Sequence, residues 1–183
     1  MLRERIITAM GALSLYGMRS VIDEVLATGI KQRATPEKIL LDLLEAKLAK
    51  RKANSIRYRM GLARFPVDKN LDHFDFSASP VDEIQIRSLL EGHFLSDHGN
   101  VILVGGTGTG KTHLAVALGR QAIRNGRKGK FFNLVDLVNQ LEQKKLASRG
   151  GKLAESLTRQ DFVILDELGY LPFSKAAANY SFT

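Results

Sequence analysis

The stretch Val101-Ile-Leu-Val-Gly105-Gly-Thr-Gly-Thr-Gly110-Lys111-Thr112 decides the fold of this 183-residue chain. Four apolar residues without alternation predict a strand buried on both faces. They run directly into G-x-x-x-x-G-K-T and then into an apolar-periodic segment from Lys111 to about Arg124. Strand, glycine-rich loop and helix in that order are the setting of a phosphate-binding loop. Successive backbone N–H groups must wrap a cluster of anionic oxygens, so Gly105, Gly108 and Gly110 are expected to give turns and close approach that a Cβ would block. Gly106, Thr107 and Thr109 complete the loop. Lys111 is expected to place its charge on the β- and γ-phosphates, and Thr112 to offer a hydroxyl to Mg²⁺ at a helix N-terminus whose dipole already favours anions.

A second chemical element lies about fifty residues downstream. Asp161-Phe-Val-Ile-Leu-Asp166-Glu167 predicts a buried parallel strand that delivers two carboxylates to the carboxyl edge of a sheet, where ligands bind in open α/β folds. Asp166 is the candidate second Mg²⁺ group beside Thr112, and Glu167 the candidate for orienting and deprotonating an attacking water. Asp166-Glu-Leu-Gly169 also fits the D-x-x-G pattern of GTPases. That pattern does not call for an acid directly after the aspartate, which disfavours the GTPase reading.

Between and around these elements strand and helix signals alternate. Ser79-Pro80 with Asp82 and Glu83 predicts a helix running towards Ser96, and Asp97-His98-Gly99 ends it. Asn125-Gly126 turns the chain after the loop-bearing helix. Lys130 to Asn133 is a short strand candidate, and Leu134 to Lys145 a helix with Leu134, Leu137, Val138 and Leu141 on one side. Arg149-Gly-Gly151 predicts a break and Leu153 to Leu157 a short helix. The alternation predicts a parallel α/β sheet.

The N-terminal third has a different composition. Residues 1 to 60 hold twelve Lys/Arg against six Asp/Glu, and the rest fifteen against thirteen, so most of the formal charge of +8 is N-terminal. Val21, Ile22, Val25 and Leu26 predict a helix from about Met18 to Ala27 that closes at Gly29. Thr35-Pro36-Glu37 predicts an N-cap with proline in the first turn, followed by one apolar stripe of Ile39, Leu40, Leu43, Leu44 and Leu48. Further along, the segment becomes basic. Lys50, Arg51, Lys52, Arg57 and Arg59 are the candidate DNA contacts, since such a helix can neutralise several phosphates, although most charge runs are merely solvated faces. Phe65-Pro66 ends the helical segment. Pro66 to Ser79 is expected to link it to the phosphate-loop domain, with Phe74-Asp-Phe76 either seating that linker on a core or lining an adenine pocket.

Other classes find no support. The chain has no cysteine, hence no disulfide or thiolate metal site, and His73, His93, His98 and His113 lack the spacing of a metal set. No long apolar run or cleavage signal occurs, so a cytoplasmic protein without a membrane partner is expected.

Arg64-Phe-Pro66, Phe74-Asp-Phe76, Gly110-Lys-Thr-His-Leu-Ala-Val-Ala-Leu-Gly119 and above all Leu165-Asp-Glu-Leu-Gly-Tyr-Leu-Pro172 resemble the IstB-type transposition helper ATPases of insertion sequences. These are relatives of the DnaC-type helicase loaders within the AAA+ class. The resemblance implies an α/β P-loop NTPase fold, with a basic all-α domain at 1–64, a linker at 65–79 and an incomplete AAA+ ATP-binding domain at 80–183. It further implies a homo-oligomer that binds ATP and Mg²⁺, holds DNA, and recruits or stimulates the transposase of its own insertion sequence. Gly105 to Thr112 would bind ATP, Asp166 would assist Mg²⁺ and Glu167 would be the hydrolytic base. The family's sensor residue, arginine finger and final strands have no counterpart before Thr183. Negligible turnover by this chain alone is therefore expected, with Val101–Val104 either left without ladder partners or paired directly with 162–165. A non-catalytic fragment that binds DNA or a partner, or a fragment of a helicase loader, is the alternative.

Overall fold

A computed structural model describes residues 2–67, 69–146 and 150–168. The chain divides into two compact units, Met1–Tyr58 and Arg59–Thr183. The division falls inside one continuous helix rather than at the expected 64/65 boundary.

The first unit is helical: α1 (Leu2–Ala12), α2 (Tyr16–Arg19), α3 (Ile22–Lys31) and most of α4 (Pro36–Ala63). Met10, Met18, Ile22 and Leu43 form its buried core, with Ile7, Leu15, Val21, Val25 and Ile39 packed around them. The expected start of α4 is present, since the Thr35 hydroxyl accepts from the Lys38 N–H at 3.4 Å and Pro36 opens the first turn. Two expectations need correction. The helix predicted for Met18 to Ala27 begins instead at Ile22 and runs through Gly29 to Lys31. Gly29 is buried because a Cβ there would stand 2.8 Å from the Ile39 side chain, so it is a packing glycine and not a helix stop. The predicted stripe on α4 also divides. Ile39 and Leu43 join the core, while Leu40, Leu44 and Leu48 are exposed. Arg3 and Asp23 tie α1 to α3 at 2.6 Å, and the guanidinium's hydrogen bond holds the Asp23 carboxyl below its usual range.

The second unit is α/β. It comprises the end of α4, a 3₁₀ turn (Leu71–His73), α5 (Glu83–Glu91), α6 (His93–Ser96), α7 (Lys111–Arg124), β1 (Gly129–Asn133), α8 (Leu134–Leu146), α9 (Gly150–Thr158) and β2 (Phe162–Asp166). Asp82 caps α5 by accepting from the N–H groups of Ile84 and Gln85 at 2.8 and 3.4 Å. Gly92, left-handed at φ 83°, breaks the predicted helix before Ser96 into α5 and α6. Gly150 and Gly151, expected as a break, lie in the first turn of α9, and residues 147–149 lie outside the described residues.

The parallel α/β sheet predicted from the alternation is present, reduced to two strands among the described residues. β1 and β2 pair in parallel from Gly129↔Phe162 to Asn133↔Asp166. α7 is the central helix, with Leu114, Val116 and Ile123 fully buried. A Cβ at Gly119 would meet Ile164 of β2 at 2.7 Å and Phe65 at 3.1 Å, so helix, strand and incoming chain close on one another at that residue. Leu134, Leu137 and Leu153 make a second core with Phe132 and Leu165 beneath α8 and α9.

The predicted strand Val101–Val104 is the main correction. No ladder forms there among the described residues, and Ile102 and Val104 are 77% and 89% exposed. An apolar run becomes a buried strand only when neighbours supply hydrogen bonds and cover both faces. β2 pairs with β1 along one edge, and among the described residues no pairing of 162–165 with 101–104 forms along the other.

Gly129 gives a stability prediction. A Cβ there would lie 2.1 Å from the Phe162 ring of the paired strand. Gly129→Val should therefore lower unfolding free energy by about 1–3 kcal/mol, the usual cost of overpacking. A urea midpoint equal to the parent's would show that the ring does not close over this position.

Candidate functional site

The loop 105–110 joins the extended 101–104 segment to α7, and its geometry follows from two glycines. Gly108 and Gly110 have φ of 81° and 86°, left-handed values at which a side chain is strained. Gly110 is also the residue before α7 and lies under the Phe74 ring, where a Cβ would be 2.5 Å from Cε2. Thr109 braces the turn by donating its hydroxyl to the Gly106 carbonyl at 2.8 Å. Lys111 folds back across the loop, its Nζ donating to the carbonyls of Gly105 and Gly106 at 2.9 and 2.6 Å. The N-terminal N–H groups of α7, with its positive dipole end, open onto the same loop.

The strand end delivers the second half. β2 carries Asp166 to the first turn of α7, where its Oδ2 accepts from the Thr112 hydroxyl at 2.9 Å. Two candidate residues 54 positions apart in sequence are thus in direct contact. Glu167 follows at φ 63°, a left-handed backbone that is uncommon for a side-chain-bearing residue, and its N–H donates to Asp166 Oδ1 at 3.1 Å. A hydroxyl and a carboxylate side by side are hard oxygen donors that suit Mg²⁺, which usually takes one or two protein groups and completes its shell with phosphate oxygens and water. Among the described residues no group of three or more His, Cys, Asp or Glu could hold a metal ion without other ligands.

Asn133 is the site residue that the sequence reading missed. Its Oδ1 caps α8 by accepting from Val135 and Asp136 at 3.0 and 3.3 Å, and its Nδ2 donates to Glu167 Oε2. The cap fixes which way the amide points and so presents the N–H₂ to the glutamate. The available signal was that β1 and β2 each end an apolar run on a polar residue, Asn133 and Asp166, which only the parallel register makes neighbours.

Phe65 and residues 70–76 lie along α7. Phe65 packs at Gly119, and Asn70 accepts on Oδ1 from Arg120 and Arg124 at 3.0 and 3.1 Å. The Asn70 carbonyl also meets His113 Nε2 at 2.8 Å. Phe74 stands edge-on to Phe76 and His113, with ring centroids 4.8 and 5.2 Å away. Phe74 therefore seats this segment on the helix that begins at the loop, and Phe76 stands against Phe74.

The five candidate DNA contacts all fall on α4, and the helix separates them. A turn of about 100° per residue sends Lys50, Arg51 and Lys52 to three sides. Seven-residue spacing returns Arg57 to the side of Lys50 and Arg59 to that of Lys52. Lys50, Arg51, Lys52 and Arg57 are exposed, whereas Arg59 is half-buried and donates to the Gly126 carbonyl in the turn after α7.

The family model of the IstB-like ATP-binding protein matches residues 8–183. The chain belongs to the IstB-like ATP-binding protein family. Curated relatives agree with the membership. A Geobacillus stearothermophilus protein, named for ATP binding and for insertion sequence IS5376, is 41% identical over 147 residues, 78% of this chain and 57% of the relative. A Pseudomonas aeruginosa protein similarly named for IS21 is 33% identical over 162 residues, 88% of this chain and 61% of the relative. A third such protein, of IS232 from Bacillus thuringiensis, is 28% identical over 98% of this chain and 72% of the relative. This IstB-like chain thus spans roughly three-fifths of the length of the first two relatives. Of the run that carries the resemblance, Leu165 to Leu168 are described, while Gly169-Tyr-Leu-Pro172 and everything after it lie outside the described residues. No helix among the described residues is long and apolar enough to cross a membrane.

Proposed function

We propose that this chain binds Mg²⁺-ATP through Gly105–Thr112, Asp166 and Glu167, and that it acts as an ATP-operated, DNA-binding helper of an insertion-sequence transposase. The observation that carries the nucleotide reading is the 2.9 Å bond from Thr112 to Asp166, which joins the loop's helix to the acidic strand end. On this reading the loop N–H groups and the α7 N-terminus hold the phosphates, and Lys111 exchanges the Gly105 and Gly106 carbonyls for phosphate oxygens. Mg²⁺ held by Thr112 and Asp166 would neutralise phosphate charge. Glu167 accepts the proton of an attacking water, and Asn133 positions that carboxylate through its amide. Family membership supports DNA and the cognate transposase as partners, and the exposed cations of α4 support a DNA surface.

Mg²⁺ dependence tests the carrying observation. Thr112→Val and Asp166→Asn should each lower ATP affinity about tenfold when Mg²⁺ is present, a loss equal to one charge-assisted contact. In EDTA both variants should bind ATP as the parent does. An equal loss with and without Mg²⁺ in calorimetric titration would assign the pair a purely structural role.

A further inference from the structure

Gly110 needs a restraint from outside the loop. Its φ of 86° calls for glycine, yet glycine is the residue least confined by its own backbone, so the N–H groups after it keep one direction only if a neighbour limits it. Phe74 is that neighbour. Its Cε2 stands 2.5 Å from where a Cβ on Gly110 would be, so the ring fills the space that a side chain would otherwise take. The ring is held in turn by the residues before it. The Phe74 N–H donates to the Leu71 carbonyl at 2.9 Å and the His73 N–H to the Asn70 carbonyl at 3.2 Å, which makes residues 70–74 one closed turn. Asn70 anchors that turn to α7. It stands at the N-cap position of the 3₁₀ turn without capping it by its side chain, and both of its oxygens are directed to the helix. The carbonyl accepts from His113 Nε2 at 2.8 Å, and Oδ1 accepts from Arg120 and Arg124 at 3.0 and 3.1 Å. A carbonyl only accepts, so His113 carries its hydrogen on Nε2.

We propose that Asn70 and Phe74 are positioning residues of the phosphate loop. Asn70, latched to His113, Arg120 and Arg124, holds the Phe74 ring over Gly110, and the ring keeps the loop in its phosphate-receiving form before any nucleotide arrives. The proposal deepens the nucleotide reading and rests on it. Neither residue touches the ligand. Both act through Gly110, by removing beforehand the backbone freedom that binding would otherwise have to remove. The ligand class that senses the latch is therefore a polyphosphate, whatever base it carries. Base stacking on Phe74 is the competing role, and the ring's setting disfavours it, because Gly110, Phe76 and His113 already stand against the ring. Coupling of this kind is reciprocal, so a polyphosphate in the loop also tightens the 70–74 turn.

Calorimetric titration of the full chain with ATP, ADP and inorganic tripolyphosphate tests the latch. Phe74→Ala and Asn70→Leu should each weaken all three ligands by the same factor, about tenfold, the order of one restored ordering cost. Asn70→Asp keeps an acceptor for both guanidiniums and should return affinity to within about threefold of the parent. His113→Phe keeps a ring beside Phe74 and removes the donor, so it should weaken all three ligands about threefold, and it carries the test if a melt shows Asn70→Leu unfolded. Hydrogen exchange reads the reciprocal effect. Tripolyphosphate should slow exchange at the His73 and Phe74 amides of the parent and lose that effect in His113→Phe. A loss for ATP and ADP that spares tripolyphosphate would make Phe74 a base contact and overturn the proposal. Parent-like affinity in Phe74→Ala, or Asn70→Asp no better than a folded Asn70→Leu, would overturn it as well. Lys111→Ala run in parallel separates the two readings: if it loses ATP while the latch variants keep it, the latch alone falls, and if it binds ATP as the parent does, the nucleotide site falls too.

Discussion

Replacing Lys111 with alanine should lower ATP affinity about 100-fold and leave the unfolding midpoint where it was. The loss follows from charge. Lys111 Nζ sits over the loop with two carbonyl acceptors, Gly105 and Gly106, at hydrogen-bond distance, and a bound polyphosphate would compete for the same ammonium. Each charge-assisted bond contributes about 1.5–3 kcal/mol, and part of that is offset because two existing bonds must be given up; a net of about 3 kcal/mol corresponds to the stated factor. Stability is spared because Gly105 and Gly106 are exposed, so water replaces the lost donor at both carbonyls. Isothermal titration and a denaturant melt on the same preparations check both halves. An affinity within twofold of the parent's would remove the phosphates from this loop, and a large fall in the midpoint would make Lys111 a structural residue.

Local chemistry was readable from sequence to the extent that it depended on local spacing. Thr35-Pro36 at the start of α4, Lys111 to Arg124 as one helix, and the α/β alternation all rest on residues a few positions apart, and the structure has each of them. What depended on distant partners was not readable. Val101–Val104 has the composition of a buried strand, yet a strand exists only where neighbours offer a ladder and cover, and among the described residues none does so there. Asn133 looked like the last residue of a short strand. Its contact with Glu167 needs both the cap of α8 and a register set by a strand about thirty residues further on. Gly29 and the α4 leucines fail for a related reason. Periodicity states that a helix has an apolar side but not which part of it finds a neighbour, so Gly29 read as a stop when Ile39 was packing on it.

DNA affinity should fall about 50- to 500-fold between 50 and 200 mM salt, the loss for three to five phosphate contacts at about 0.9 counterion each. The geometry of α4 refines which cations carry that slope. Lys50 and Arg57 are exposed and share one side of the helix, two turns or about 10 Å apart; Lys50 Cβ lies beside Gly17 of α2, so a duplex that takes both must run past the end of that packing. Lys52 and Arg59 share the other side, but Arg59 is half-buried and already donates to the Gly126 carbonyl, which draws its guanidinium away from a phosphate. Lys50→Ala with Arg57→Ala should therefore reduce the slope by about 1.8, whereas Lys52→Ala with Arg59→Ala should reduce it by about 0.9 or less. The measurement is fluorescence anisotropy with one labelled duplex at four or more salt concentrations, repeated on a second sequence. Both duplexes should give the same slope, since phosphate contacts carry no base information. A salt-independent affinity would take DNA off this helix. Equal slope losses for the two double variants would mean that the duplex does not engage one side of α4, and that Arg59 leaves Gly126 on binding.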